Sequence, residues 1–136
     1  MNTLVIDAHG GGLGKQLVSA LRKSFPDMDI TAVGTNTTAT AVMLKAGATH
    51  AATGENAVIV GCRKADVIIG PLAIVIADSM YGEITPTIAL AVSQSNARRI
   101  LIPFNHCENI VVGIHDYNVT SLIQEALKEI SKLTMP

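Results

Sequence analysis

Aromatic residues are almost missing from this 136-residue chain: it has two Tyr, two Phe and no Trp, 3% in all. A core built without rings must come from Ala, Val, Ile and Leu, as in a parallel sheet covered on both faces. Charge is also scarce. Asp, Glu, Lys and Arg make up 15% of the residues, below the roughly 25% of an ordinary globular domain. The net charge is −1 and the ten Lys and Arg are scattered, which leaves no electrostatic footprint for nucleic acid. So little charge on a small domain predicts that some apolar surface is buried in a homo-oligomer.

Cysteine is scarce too. Cys62 and Cys107 are far apart and form no CxxC pair, so they read as reduced thiols, and a cytoplasmic location is expected. No tight His/Cys cluster suggests a metal. Long apolar runs are missing. The longest, Val67 to Ala77, is interrupted by Gly70-Pro71 and is too short to span a bilayer. Repeats, linkers and low-complexity tracts are absent, and a chain of this length is one domain, 1–136, by the usual prior.

What is present is organised around Leu4-Val5-Ile6-Asp7-Ala8-His9-Gly10-Gly11-Gly12-Leu13-Gly14-Lys15. It reads as a buried strand, a glycine turn and the start of a helix. Four glycines in positions 10–14 let backbone N–H groups converge without Cβ atoms in the way, and the helix N-terminus adds partial positive charge. The combination is an anion cradle of the kind used for phosphate.

The spacing is not G-x-G-x-x-G, because Lys15 stands where the third glycine belongs. The short-chain dehydrogenase spacing G-x-x-x-G-x-G fits better, with Ala8 in its first position and Gly12 and Gly14 in place. A Walker A loop is excluded, since Gly14-Lys15 is followed by Gln16 rather than Ser or Thr. The alternative is a tight strand–helix turn whose glycines serve packing alone.

Hydrophobic periodicity extends the pattern. Leu13, Leu17, Val18, Leu21 and Phe25 form a helical stripe. Strands are expected at Ile30–Val33, Ala48–Ala52, Asp66–Ile69, Arg99–Ile102 and Ile110–Ile114, with Gly70-Pro71 stopping the third of these. Helices are expected at Thr38–Ala46, from Asn56 to about Lys64, after the N-cap Thr85 and N1 Pro86, and from about Val119 to Leu133. Leu72–Met80 is ambiguous between strand and helix, with Pro71 favouring helix.

Strands alternating with helices predict an α/β, single-domain, Rossmann-like three-layer sandwich with a mostly parallel sheet of five to six strands. Such a fold binds ligands outside the carboxyl ends of its strands, at the switch point of strand order. That brings together the glycine loop, Gly34-Thr35-Asn36 and Gly70-Pro71.

The candidate ligand-binding residues are therefore Gly10, Gly11, Gly12, Gly14, Lys15, Thr35, Asn36, Gly70 and Pro71. Lys15 in the first turn of a helix opposes the macrodipole, a mild cost that makes sense against a phosphate; it also reads as a solvated surface lysine. Thr35 and Asn36 hold the position where dinucleotide folds carry an acid for the ribose hydroxyls, and neither supplies a carboxylate. This weakens an NAD reading specifically.

Asp78 and Glu83 flank a glycine loop and are candidate acid–base groups, against the plainer readings of a turn cap and a helix N-terminal acid. Cys107, beside His106, is a remote candidate nucleophile. His9, next to the glycines, suits a phosphate or sugar contact.

Several stretches, taken together, resemble a small bacterial family known as domain of unknown function 3842. They are Ile6-Asp7 with the triple glycine, Gly34-Thr35-Asn36, Ala52-Thr53-Gly54-Glu55-Asn56-Ala57, Ile69-Gly70-Pro71, Gly82-Glu83-Ile84-Thr85-Pro86 and Ile100-Leu101-Ile102-Pro103. The resemblance covers nearly the whole chain. It implies a Rossmann-like cytoplasmic protein, mainly of Firmicutes-type bacteria. It assigns no catalytic residues.

The function expected is a binding module for a nucleotide, dinucleotide or other phosphate-bearing metabolite. The alternatives are a small NAD(P)-dependent oxidoreductase or other enzyme, and an oligomeric scaffold with a purely structural glycine loop. Against the oxidoreductase, no Tyr-x-x-x-Lys pair exists, since Tyr81 and Tyr117 are followed four positions later by Thr85 and Ser121.

Overall fold

The computed structural model describes residues 1–103, 109–115 and 117–134. Its centre is a five-stranded sheet, in which all four strand pairings are parallel and the strand order is β3-β2-β1-β4-β5. The strands are β1 (Asn2–Asp7), β2 (Asp29–Gly34), β3 (His50–Thr53), β4 (Val67–Pro71) and β5 (Arg98–Ile102). The helices are α1 (Gly12–Ser24), α2 (Thr37–Lys45), α3 (Glu55–Lys64), α4 (Pro86–Gln94) and α5 (Val119–Thr134).

The apolar run of β1 serves both faces because successive side chains alternate. Val5 packs with Leu17 and Leu21 of α1, Met43 of α2 and Ile130 of α5. Leu4 and Ile6 pack with Val58 of α3 and Ile88 and Val92 of α4. Two aliphatic cores thus flank one sheet, which is the three-layer α/β arrangement expected from the composition.

The switch point lies between β1, whose chain continues to β2 on one side, and β4 on its other side. Consequently the loops after β1 and β2, together with the chain after β4, meet at the carboxyl edge of the sheet.

The structure corrects three expectations. Residues 110–114 are not a strand: they form turn and irregular backbone, and Ile110 and Val112 are each 90% exposed. A parallel return to the sheet needs a crossover of a dozen or more residues, and the stretch 103–109 is too short to provide one beside β5. Leu72–Met80 is not a helix either. Only Leu72–Val75 forms a 3₁₀ turn, after which Ile76 is extended and Asp78 is left-handed at φ 65°. The β-branched run of Ile74, Val75 and Ile76 loses side-chain freedom in a helix. Finally, Gly70-Pro71 does not stop β4 but completes it, opposite Leu101 and Ile102. Pairing with β1 ends at Ile69, so the missing N–H of Pro71 interrupts no ladder on that side.

Candidate site at the carboxyl edge of the sheet

The site starts with Asp7, the last residue of β1 and 3% exposed. Its Oδ1 accepts the Ala8 N–H at 2.8 Å and its Oδ2 accepts the Gly14 N–H at 2.7 Å. One carboxylate therefore fixes both ends of the glycine turn and caps the first turn of α1 from outside the helix. Burial pushes the Asp7 carboxyl above the usual range. The Gly14 and Ala8 N–H groups and His9 pull it down, while the negative charge of Glu83 adds to the rise.

The turn closes with the Gly11 N–H on the Ala8 carbonyl at 3.0 Å, and places His9 and Gly11 in left-handed backbone at φ 54° and 73°. For a non-glycine residue such as His9 this costs roughly 1–2 kcal/mol.

The glycines divide into two kinds. A Cβ on Gly11 would lie 2.6 Å from Val42 Cγ2, and one on Gly14 would lie 2.5 Å from Met43 Sδ and 2.9 Å from Asp7 Cβ. These two let α1 approach α2 and the strand end. Gly70 is of the same kind, since a Cβ there would sit 2.5 Å from the Ile6 carbonyl oxygen. Gly10 and Gly12 differ, because a Cβ on either would meet nothing within 4 Å. Packing does not require glycine at these two positions. They also lie at the exposed side of the turn, and no described hydrogen bond uses the N–H of Gly10, Gly12 or Leu13.

Beside the loop, the side chains of four residues meet. Glu83 Oε1 accepts the Thr35 hydroxyl at 2.7 Å, the Asn36 amide at 2.8 Å and the His9 backbone N–H at 3.0 Å. The outer oxygen, Oε2, lies 3.4 Å from His9 Nε2, which also contacts the Met80 carbonyl at 3.0 Å. Asn36 is fully employed: its Oδ1 caps α2 by accepting the Ala39 N–H, and its Nδ2 also donates to the His9 carbonyl.

Partial burial opposes the Glu83 charge, but the hydrogen bonds from Thr35, His9 N–H and Asn36 outweigh it, and with nearby His9 they hold the carboxyl below its usual range. At neutral pH Glu83 is therefore an acceptor and not a proton donor.

Two anchors aim Glu83. Ile84 is fully buried in the core beneath α4, and Thr85 caps α4 by accepting the Ile88 N–H while donating to Glu55 at 2.6 Å. On the other side, the chain turns through left-handed Asp78, Met80, Tyr81 and Gly82, held by the Asp78 N–H on the Ile84 carbonyl at 2.7 Å.

The structure thus gathers Thr35, Asn36 and Glu83 beside Gly10 and Gly12. The other candidates lie elsewhere. Lys15 is exposed and lines a groove with Gln16 and Ser19 of α1 and Thr120 and Gln124 of α5. Pro71 is buried with Gly70 inside β4. Asp78 is exposed on the loop, and none of its described hydrogen bonds reaches the Glu83 carboxylate. Cys107 lies outside the described residues. Among the described residues, no group of three or more His, Cys, Asp or Glu is placed to hold a metal, and no helix is long and apolar enough to cross a membrane.

Sequence reasoning missed Asp7 as the fastening of the loop. The available signal was an acid as the last strand residue, directly before the glycines.

Residues 2–135 match the family described as Domain of unknown function (DUF3842). The chain belongs to this family. No curated protein matches it. Among solved structures, it is similar to a dodecameric FMN-dependent Ubix-like decarboxylase from Escherichia coli O157:H7. The identity is 18% and the TM-score 0.47, over 96% of this chain and 77% of that chain.

Two outcomes test this geometry. Gly14→Ala should destabilise the protein by about 1–3 kcal/mol through overpacking against Met43 and Asp7. Gly12→Ala, with open space at its Cβ, should leave stability within about 1 kcal/mol of the native protein. Urea unfolding of the two variants checks this, and equal losses would refute the division of the glycines.

The second outcome concerns pH. A carboxyl whose folded value is lowered contributes stability that is present above its ordinary value of 4.5 and disappears as pH falls through the folded value. Asp7 acts oppositely, since its raised folded value favours the protonated protein and that contribution fades as pH rises. Glu83→Gln should therefore lower the melting temperature at pH 7, with a deficit on the order of 1 kcal/mol that shrinks below pH 4.5. Thermal melts between pH 3 and 7 read it out, and a deficit independent of pH would count against the hydrogen-bonded carboxylate.

Proposed function

We propose that the exposed carboxyl edge of the sheet, at the glycine turn and Glu83, binds a nucleotide or another phosphate-bearing small metabolite. The observation that carries this reading is the open pair Gly10 and Gly12. Packing explains Gly11, Gly14 and Gly70, so a purely structural loop accounts for those three and leaves these two unexplained. Glycine at the exposed side of a turn lets a ligand approach the backbone, and the first N–H groups of a helix of this length attract an anion. Thr35 and Asn36 sit alongside and hold the Glu83 carboxylate in place.

In this reading Lys15 contributes charge from one turn away and is not a direct contact. The protein acts as a binding module. Glu83, held ionised, is unsuited to act as a general acid at neutral pH, and the oxidoreductase alternative has no Tyr-x-x-x-Lys pair to carry it.

A thermal-shift panel of nucleotides, dinucleotides and inorganic phosphates tests the proposal. A ligand at a hundredfold its Kd should add roughly 2.7 kcal/mol of stability. Gly12→Val should remove that shift while folding as before. No shift with any member of the panel would overturn the reading.

We also propose that the protein is a homo-oligomer. Ile110 and Val112 at 90%, Leu90 at 53% and Tyr81 at 100% exposure are large apolar side chains without cover, on a chain with little charge to keep copies apart. Light scattering after size-exclusion chromatography should give a mass at or above twice 14.2 kDa, and a monomer would remove the proposal.

A further inference from the structure

We infer that Glu83 is the specificity-determining residue of this site and that it accepts the hydroxyl groups of a ribose, so that the ligand is a ribonucleoside phosphate and not a deoxy analogue or a bare phosphate. The inference rests on the phosphate reading above and deepens it.

Dinucleotide-binding folds of the order 3-2-1-4-5-6, which shares its first five strands with this sheet, bind the ribose hydroxyls through an acid after the second strand. The chain places Thr35 and Asn36 there, directly after β2, and neither is acidic. Tertiary structure makes good the deficit: both side chains donate to Glu83 Oε1, at 2.7 and 2.8 Å. A carboxylate therefore does stand at the end of β2, delivered by the loop that follows β4.

Oε1 takes three donors, which fixes the plane of the carboxylate. Oε2 has only His9 Nε2 described beside it, at 3.4 Å, and that nitrogen is shared with the Met80 carbonyl at 3.0 Å. A carboxylate offers about four acceptor sites, so Oε2 can still receive hydrogen bonds. The side chain is 32% exposed, so a ligand can reach it.

An ionised carboxylate repels phosphate, so Glu83 cannot itself be a phosphate ligand. It calls for neutral donors, and vicinal hydroxyls are neutral donors. The anionic part of the ligand is left to the open backbone at Gly10 and Gly12, one residue and three residues beyond His9, whose N–H already holds Glu83. A sugar carrying hydroxyls on one side and a phosphate on the other spans that arrangement.

The test is calorimetric titration of the full chain with the four ribonucleoside 5′-diphosphates, their 2′,3′-dideoxy counterparts and inorganic pyrophosphate. At least one ribonucleotide should bind tenfold to hundredfold more tightly than its dideoxy counterpart, the effect of hydrogen bonds to a charged acceptor. Glu83→Gln should lower ribonucleotide affinity about tenfold, bring the ribo-to-dideoxy ratio toward one, and leave pyrophosphate binding unchanged or tighter. A purely structural Glu83 would weaken all three classes together, and that result overturns the inference.

Dideoxy forms or pyrophosphate binding as tightly as the ribonucleotides would also overturn it while the phosphate reading stands. Failure of every phosphate compound to bind overturns both. If Glu83→Gln does not fold, the ribo-to-dideoxy ratio of the native protein decides alone.

Discussion

The carboxylate of Asp7 is the fastening on which the carboxyl edge of this sheet depends. It sits at the end of a strand buried on both faces and holds the N–H groups on either side of the glycine turn. Removing it from water is costly, and the two hydrogen bonds offset part of that cost. In the turn they fasten, His9 is in left-handed backbone, Gly14 closes against the strand end, and Gly10 and Gly12 are exposed.

Everything else at the edge follows from that fixed turn. The His9 N–H and the Asn36 amide meet on Glu83 Oε1, at 3.0 and 2.8 Å. Glu83, in turn, is aimed by Ile84 in the core and Thr85 at the start of α4. Three segments distant in sequence are thereby joined around one oxygen. Two acids this close repel each other, and the protein separates their states by environment: burial favours the proton on Asp7, while three donors strip it from Glu83.

Much of the fold is legible in the sequence because its cause is local. The apolar run of β1, the helical stripe of α1, the Thr85-Pro86 start of α4 and the strongly periodic α5 each declare themselves through period and capping. Residues 110–114 mislead for the opposite reason. Their β-branched content is real, but a strand requires a partner edge, and the preceding stretch is too short to carry the chain back in parallel. Leu72–Met80 misleads similarly, since Pro71 belongs to β4 and the following run turns only once. Lys15 looks like a phosphate ligand in a linear motif, yet the helix directs it toward the α5 side.

The sequence by itself determined the class of fold and pointed to the carboxyl edge of the sheet, because alternating strand and helix signals and one cluster of glycines are properties of neighbouring residues. Only the tertiary structure decided which side chains meet at that edge. It separated the glycines needed for packing from the two that are not, a distinction that depends on where Val42, Met43 and Ile6 lie. It also supplied the acid that the end of β2 lacks, from a loop 47 positions further along the chain than Asn36. No local rule links residues so far apart; the strand order does.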